Sequence, residues 1–420
     1  MAATALSLSV MPAQAISPRS EVGVTSTAIK LGITLPMTGS ASFGYNQLPG
    51  AMKAYFDYVN ANGGVNGRKI SLVVKDDGYL PKQAIINTQD LIAKDKVMAV
   101  IGALGTANNK AVASAVNLGR RGIPSLFINT GFSGFNDRKA FPTSSTLLPS
   151  YIMEAKMMSK YVKETYPGKK TCMLYQDDDF GDDALVGFDK THGDLDFAVK
   201  VAYPSLSQGV AGVPDSWITK FKAGGCEVQI VFGVASATLY TVLAAVKAQY
   251  APKWILGSVG ADIGSINPAT VPYIIGSTSM SFMPSVVDPK DAYVTQFKEI
   301  NTKYNVGAKF NSWALIGMNT AFIAVQALKA AGKNPTRKSL LAAIDASGST
   351  FPNAALVPLN YSKTSNVGLN GYWFGTFNKT GDLVPNDTFT YTVYTTDSGT
   401  GPVEKSSYTR PAMPAKGLPN

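Results

Sequence analysis

The feature that most constrains this chain is an alternation. Short apolar runs of strand length are separated by longer stretches with helical periodicity. Strands are predicted at 29–35, 70–74, 97–101 and 125–128, with helices at 47–60, 81–93 and 107–118 between them. Pro81 suits a first helical turn, and Asn62-Gly63-Gly64 is a helix stop followed by a turn. Such alternation calls for a parallel sheet covered by helices on both faces. The rhythm breaks at 132–149, a polar piece containing Gly134, Asp137 and Pro142, and then restarts. Helices at 150–164, 182–190, 214–223 and 235–249 now alternate with strands at 171–175, 197–201, 228–232 and 254–256. A second irregular piece, 260–272, precedes a strand at 273–279 and helices at 290–304, 312–331 and 336–345. The stretch 372–394 alternates in strand fashion, while 398–420, rich in Pro, Gly, Ser and Lys, reads as a frayed tail.

At 420 residues the chain is too long for one compact core, so two α/β lobes with a cleft between them are expected. The net charge of +10 comes without a Lys/Arg block or interleaved aromatics, which excludes nucleic acid as the natural partner. Beyond the N-terminal segment, no apolar run reaches the roughly 18 residues of a membrane span. Residues 1–15 are apolar and end in Ala13-Gln14-Ala15, which resembles a secretory signal cleaved after Ala15. No cysteine stands near that point, which argues against a lipid anchor. Cys172 and Cys226 lie on or just before predicted strands with no metal-ligand spacing. Buried free thiols are the expectation, although an oxidising compartment would allow one bridge. The single histidine, His192, precedes Gly193-Asp194 and reads as a surface turn residue.

The stretch 97–117 carries the clearest chemical signal. A strand runs into Gly102 and Gly105 and then into a helix that Thr106 or Asn108 can cap. The free N–H groups and dipole of that helix start attract anions at the carboxyl edge of the sheet, where doubly wound proteins bind ligands. Taken alone the motif is equally a plain βα turn. An enzyme using a dinucleotide fails on specifics: no G-x-G-x-x-G follows the first strand and there is no P-loop. No nucleophile–base set can be assembled around the only histidine, and no cofactor is expected.

Several segments together resemble the type I periplasmic solute-binding proteins of branched-chain amino-acid ABC transporters. They are Ile29-Lys-Leu-Gly-Ile-Thr-Leu-Pro-Met-Thr-Gly39, Asn62-Gly-Gly-Val-Asn-Gly-Arg-Lys69, Asp76-Asp-Gly-Tyr-Leu-Pro-Lys-Gln-Ala84, Val100-Ile-Gly102 and Leu174-Tyr-Gln-Asp-Asp-Asp-Phe-Gly181. The resemblance implies two doubly wound parallel-sheet lobes joined by a multi-strand hinge. It places a signal-like segment at 1–15, a linker at 16–28, lobe 1 at 29–135 plus 273–350, lobe 2 at 136–272 plus 351–395, and a flexible tail at 396–420. It also implies an extracytoplasmic, monomeric receptor that closes over a small ligand and docks on membrane permease subunits. A sensor of the same fold, working with a separate signalling partner, is the alternative.

Carried over residue by residue, the resemblance assigns a ligand carboxylate to Gly105, Thr106 and Ala107, with further polar contacts from Asn129, Thr130 and Gly131. It assigns aromatic walls to Phe43 and Phe180. Amino-acid binders of the family set a carboxylate and a tyrosine against the ligand ammonium; the matching positions here are Val259 and Ala235. An ammonium buried there would lack a counter-charge unless Asp262 or the Asp177–Asp179 run supplied it. The expected ligand is therefore an organic or aromatic acid, with branched-chain amino acids as the competing class.

Overall fold

The computed structural model describes residues 21–205 and 214–419. The signal-like segment lies outside them, as do the start of the expected linker and Asn420. The smaller sheet contains β1 (Ala28–Leu35), β2 (Lys69–Asp76), β3 (Ala99–Ile101), β4 (Ser125–Ile128) and β5 (Ser144–Thr146). Its order is β2-β1-β3-β4-β5, and every neighbouring pair is parallel. Helices α1 (Leu48–Ala61), α2 (Pro81–Ala93) and α3 (Thr106–Ala115) make the crossovers. The chain winds outward from β1 in one direction and from β3 in the other. Their following loops therefore diverge and leave a crevice at the carboxyl edge.

The larger sheet repeats the device. It begins with β6 (Thr171–Asp177), β7 (Val199–Pro204), β8 (Val228–Phe232), β9 (Lys253–Leu256) and β10 (Thr278–Ser281). It ends with β11 (Tyr372–Phe377), β12 (Leu383–Val384), β13 (Val393–Thr395) and β14 (Glu404–Lys405). The order is β14-β13-β11-β10-β9-β8-β6-β7, with β12 on β11; β6 to β10 pair in parallel and the remaining pairs are antiparallel. Its helices are α4 (Tyr151–Thr165), α5 (Asp179–Phe188), α6 (Pro214–Ala223), α7 (Ala235–Lys247), α8 (Ile263–Ile266) and α9 (Val271–Ile274). The chain then returns to lobe 1 as α10 (Ala292–Tyr304), α11 (Ser312–Ala330) and α12 (Arg337–Ser347), of which α10 and α11 pack on α1.

Several expectations are corrected. The sequence places 273–350 with the first unit, yet β10 pairs with β9 and β11 and so belongs to the larger sheet. Residues 271–274 form a helical turn, with Pro272 in its first turn, instead of opening that strand. On the other side β5 pairs with β4, which keeps 144–146 in the smaller sheet. The tail is not frayed. Tyr55 Oη donates to the Gly417 carbonyl (2.7 Å), Arg410 Nη1 to the Ala354 carbonyl (2.7 Å), and Arg410 pairs with Asp291 at 2.5 Å. After β14 the chain thus crosses back and straps lobe 1. Finally, α11 is long and apolar enough to cross a membrane by length and composition alone, but 83% of it is buried. It packs against α1, α10 and α12 and serves as the core helix of lobe 1.

The cysteines are bridged, not free. Cys172 at the start of β6 and Cys226 just before β8 have Cα atoms 5.7 Å apart and form a disulfide. Because β6 and β8 are neighbours in the parallel order, two residues 54 apart in sequence meet at one end of the sheet. His192 lies in a turn, its Nδ1 2.9 Å from Asp189 Oδ1, as the sequence suggests. Closing a loop of this length stabilises the fold by about 4 kcal/mol through unfolded-state entropy. The double variant Cys172→Ala/Cys226→Ala is expected to lose roughly 2–5 kcal/mol of unfolding free energy in urea. Coincident unfolding curves for oxidised and reduced wild-type protein would refute the stabilising role.

Candidate functional site

The crevice of lobe 1 is built on Gly105. Its φ of 100° is left-handed, and a Cβ there would stand 2.8 Å from the Tyr79 ring. Only glycine meets both conditions. This turn delivers the start of α3, whose N-cap is Gly105 itself; no side chain caps it, so the expected cap from Thr106 or Asn108 is not made. Thr106 Oγ1 instead lies 2.7 Å from Thr130 Oγ1, and both residues are buried. The Thr130 hydroxyl also accepts from the Phe132 N–H at 3.2 Å. Gly131 admits a second close approach: its carbonyl accepts from Tyr151 N at 2.9 Å, and a Cβ would meet the Pro149 carbonyl at 2.2 Å. Two hydroxyls and an uncapped helix start are therefore held together beside two tyrosine rings, an arrangement suited to a carboxylate.

Lobe 2 closes the other side. Phe180, in the first turn of α5, puts its ring 4.6 Å from that of Tyr151 and 5.0 Å from that of Phe232. Gln176 Nε2 donates across the junction to Tyr79 Oη (3.3 Å) and, within its own lobe, to Asp178 Oδ2 (2.7 Å). Tyr203 Oη donates to Gln176 Oε1 (3.3 Å) and accepts from Val234 N (3.1 Å). Burial pushes the Tyr79 and Tyr151 phenols up, so both remain neutral donors over the physiological range. Further ties between the lobes are Lys110 to Asp179 at 2.7 Å and Ser312 Oγ to Asp262. Ser133 N and Oγ, just past Gly131, donate to the two oxygens of Asp183 in α5, each at 2.7 Å.

The structure thus brings together Gly105, Thr106, Thr130, Gly131 and Phe180, with Ala107 half-buried in the first turn of α3. Asn129 is placed differently. Its Nδ2 donates to the Gly102 carbonyl (2.8 Å), tying the β3 and β4 ends together, while its Oδ1 is buried without a partner. Phe43 is half-buried between two short helical turns and has no ring partner among the described residues. Ala235 opens α7 and Val259 lies in the loop after β9; the two segments approach closely, since a Cβ on Gly260 would meet the Gly233 carbonyl at 2.3 Å. Val259 presents its carbonyl to Tyr45 Oη at 3.5 Å. Neither brings a charge. The nearby acids are engaged: Asp178 with Gln176 and the Phe180 N–H, Asp262 with Ser312, and buried Glu154 with Ser258 and Tyr372.

Tyr79, Tyr151 and Gln176, which the structure sets at the lobe junction, are not among the residues the sequence singles out. Tyr79 has a φ of 65°, rare for a tyrosine and unreadable from sequence. Tyr151 opens a helix whose register alone does not say that its ring turns to the junction.

The family model described as periplasmic binding protein matches residues 28–382. The chain belongs to the periplasmic binding proteins. An amino acid binding protein of Pseudomonas aeruginosa is 28% identical over 240 residues, covering 52% of this chain and 58% of that relative. This binding protein thus spans about half the length of the curated relatives it matches. A branched-chain amino acid transporter structure from Thermus thermophilus with bound valine superposes with TM-score 0.75 at 18% identity, covering 89% and 98% of the two chains. A solute binding protein from Rhodopseudomonas palustris in complex with 3,4-dihydroxybenzoic acid gives TM-score 0.71 at 20% identity over 86% and 95%. These solved structures establish the shared fold of two α/β lobes.

One buried acid beneath the crevice lends itself to a pH test. Asp77 accepts from Thr34 Oγ1 and Tyr79 N, both at 2.9 Å, while the Asn108 amide approaches it without closing a hydrogen bond. Burial outweighs these donors and pushes its carboxyl up to about 6. A raised acid contributes stability that is fully present below its unfolded value and is lost as pH rises through about 6. Relative to Asp77→Asn, the wild type should therefore gain up to roughly 3 kcal/mol between pH 7 and 4. Parallel stability curves for the two proteins across that range would sink this assignment.

Proposed function

We propose that this protein is an extracytoplasmic receptor of an ABC importer that captures a small carboxylate between its lobes and hands it to a membrane permease. The observation that carries the reading is the Thr106–Thr130 hydroxyl pair at the uncapped start of α3, set at the lobe junction beside Tyr79, Tyr151 and Phe180. Membership of the family supports the transport role, and the Cys172–Cys226 bridge fits an oxidising compartment.

Within carboxylates, we favour an organic or aromatic acid lacking an α-ammonium. Val259 and Ala235 supply no counter-charge, and the acids near them are hydrogen-bonded to protein donors. An ammonium would have to be desolvated against these groups. Solved structures that share the fold hold valine in one case and 3,4-dihydroxybenzoic acid in another, so both classes belong in the test.

Calorimetric titration with matched pairs, 3-phenylpropanoate against phenylalanine and 4-methylpentanoate against leucine, should show the deaminated member binding at least tenfold tighter. Thr106→Val should weaken that binding about ten- to hundredfold, the loss of a hydrogen bond to a charged group worth roughly 1.5–3 kcal/mol. Tighter binding of leucine than of 4-methylpentanoate would overturn the ligand class. Unaltered affinity in Thr106→Val would remove the hydroxyl pair from the site.

A further inference from the structure

The lobe-2 side of the crevice holds a feature that a single ligand carboxylate leaves unused, the start of α7. This helix runs for 13 residues from Ala235, and no side chain caps it. Its N-cap, Val234, is fixed by Tyr203, whose Oη accepts from the Val234 N–H at 3.1 Å. The next N–H groups, at Ala235, Ser236 and Ala237, have no partner among the described residues. They are the open donors of a helix start, with the positive end of the dipole behind them. Two other lobe-2 helices that begin at the junction bring their own acids. Glu154 stands in the first turn of α4, and Asp179 and Asp182 stand in that of α5, which Asp178 caps. The first turn of α7 has no acid, and neither has that of α3 in lobe 1.

Independently of the backbone, Ser236 in that first turn is 0% exposed, and its Oγ has no hydrogen-bond partner among the described residues. Buried hydroxyls are normally paired. Its direction follows from the helix period: Ser236, Tyr240 and Leu243 recur at i, i+4 and i+7 and share one stripe. Tyr240 and Leu243 are 38% and 37% exposed, so this stripe turns away from the lobe-2 sheet. Ser236 is covered all the same, and lobe 1 supplies a cover, since its helical turn Ser40–Ser42 packs against α7. An unpaired hydroxyl thus sits beside open N–H groups at the junction, as the Thr106–Thr130 pair does at the start of α3.

Between the two helix starts stands the ring cluster. Tyr151, beside the hydroxyl pair, has its ring 5.7 Å from that of Phe232, and Phe180 touches both at 4.6 and 5.0 Å. Phe232 ends β8, and Gly233-Val234 lead from it into α7. The order is therefore donors, apolar surface, donors. Open N–H groups at Ala235 attract a negative group and repel a positive one, the reverse of what an ammonium at that position needs. We propose that the ligand is a dicarboxylate with an apolar spacer, one carboxylate at the start of α3 and the other at the start of α7, held there by Ser236 and the N–H groups beside it. This rests on the carboxylate reading above and adds the second charge to it. The net charge of +10 draws a dianion toward the chain.

The test compares acids of one skeleton by calorimetry at neutral pH: hexanoate with hexanedioate, and benzoate with benzene-1,4-dicarboxylate. At least one diacid is expected to bind the wild type about tenfold or more tighter than its monoacid. Ser236→Ala should weaken that diacid about tenfold and leave the monoacid unchanged, whereas Thr106→Val should weaken both. Removing an unpaired hydroxyl takes no contact from the unliganded fold, so an unchanged or raised melting temperature verifies that Ser236→Ala folds. Monoacids that bind as tightly as their diacids would overturn the second charge and leave the carboxylate reading standing. Diacid affinity indifferent to Ser236→Ala would do the same. Absence of saturable binding by both diacids would also overturn it, and the carboxylate reading falls with it only if 3-phenylpropanoate and 4-methylpentanoate fail to bind as well.

Discussion

Because the core strands of each sheet run parallel, every βα turn and every following helix start is delivered to the same edge. This constraint organises the molecule. A parallel strand is reached only through a crossover, and right-handed crossovers on opposite sides of β1 and β3 leave the one place where neighbouring loops must part. Gly105 occupies that place in lobe 1. In lobe 2 the corresponding parting lies between β6 and β8, where the end of β6 carries Gln176 and the start of α5 carries Asp178 and Phe180. When the two edges face each other, the crevices meet and their side chains interlock through Tyr79 and Gln176.

The division of labour between the lobes follows from what each edge offers. Lobe 1 contributes backbone dipole and hydroxyls, groups that bind charge without carrying a full charge of their own. Lobe 2 contributes ring surface at Phe180 and Phe232, together with acids already satisfied by neighbouring donors. The buried phenols between them hold neutral hydrogen-bonding groups in a low-dielectric setting, where each hydrogen bond counts for more than in water.

Local pattern made much of this legible. The strands at 97–101 and 125–128, and the helix from 81 to 93, follow from apolar periodicity and from glycine and proline punctuation, and the structure places them within two residues. The turn at Gly105 was equally visible, because an apolar run, two glycines and a helix start within ten residues leave few alternatives. What stayed hidden depends on distance. Cys172 and Cys226 meet only once the strand order is known. β10 could belong to either sheet until its partners are in place, and its short Thr-Ser-Met-Ser run carries no marker of which. Tyr79 and Tyr151 look like any buried aromatic until the second lobe arrives opposite them.

The C-terminal strap has a mechanical consequence. Among the described residues the chain passes between lobes after β5, after β10, after α12 and again after β14. The first three passages lie within the body of the fold, whereas the last is a tether anchored at both ends: Glu404–Lys405 pairs with β13, and Arg410 is locked to Asp291 and the Ala354 carbonyl. Five peptide units reach at most roughly 18 Å when fully extended. Any swing that separates these anchors beyond that length must first strip Arg410 from lobe 1 or β14 from its sheet. Any opening of the lobes would thus be limited by a leash whose length is written in the sequence.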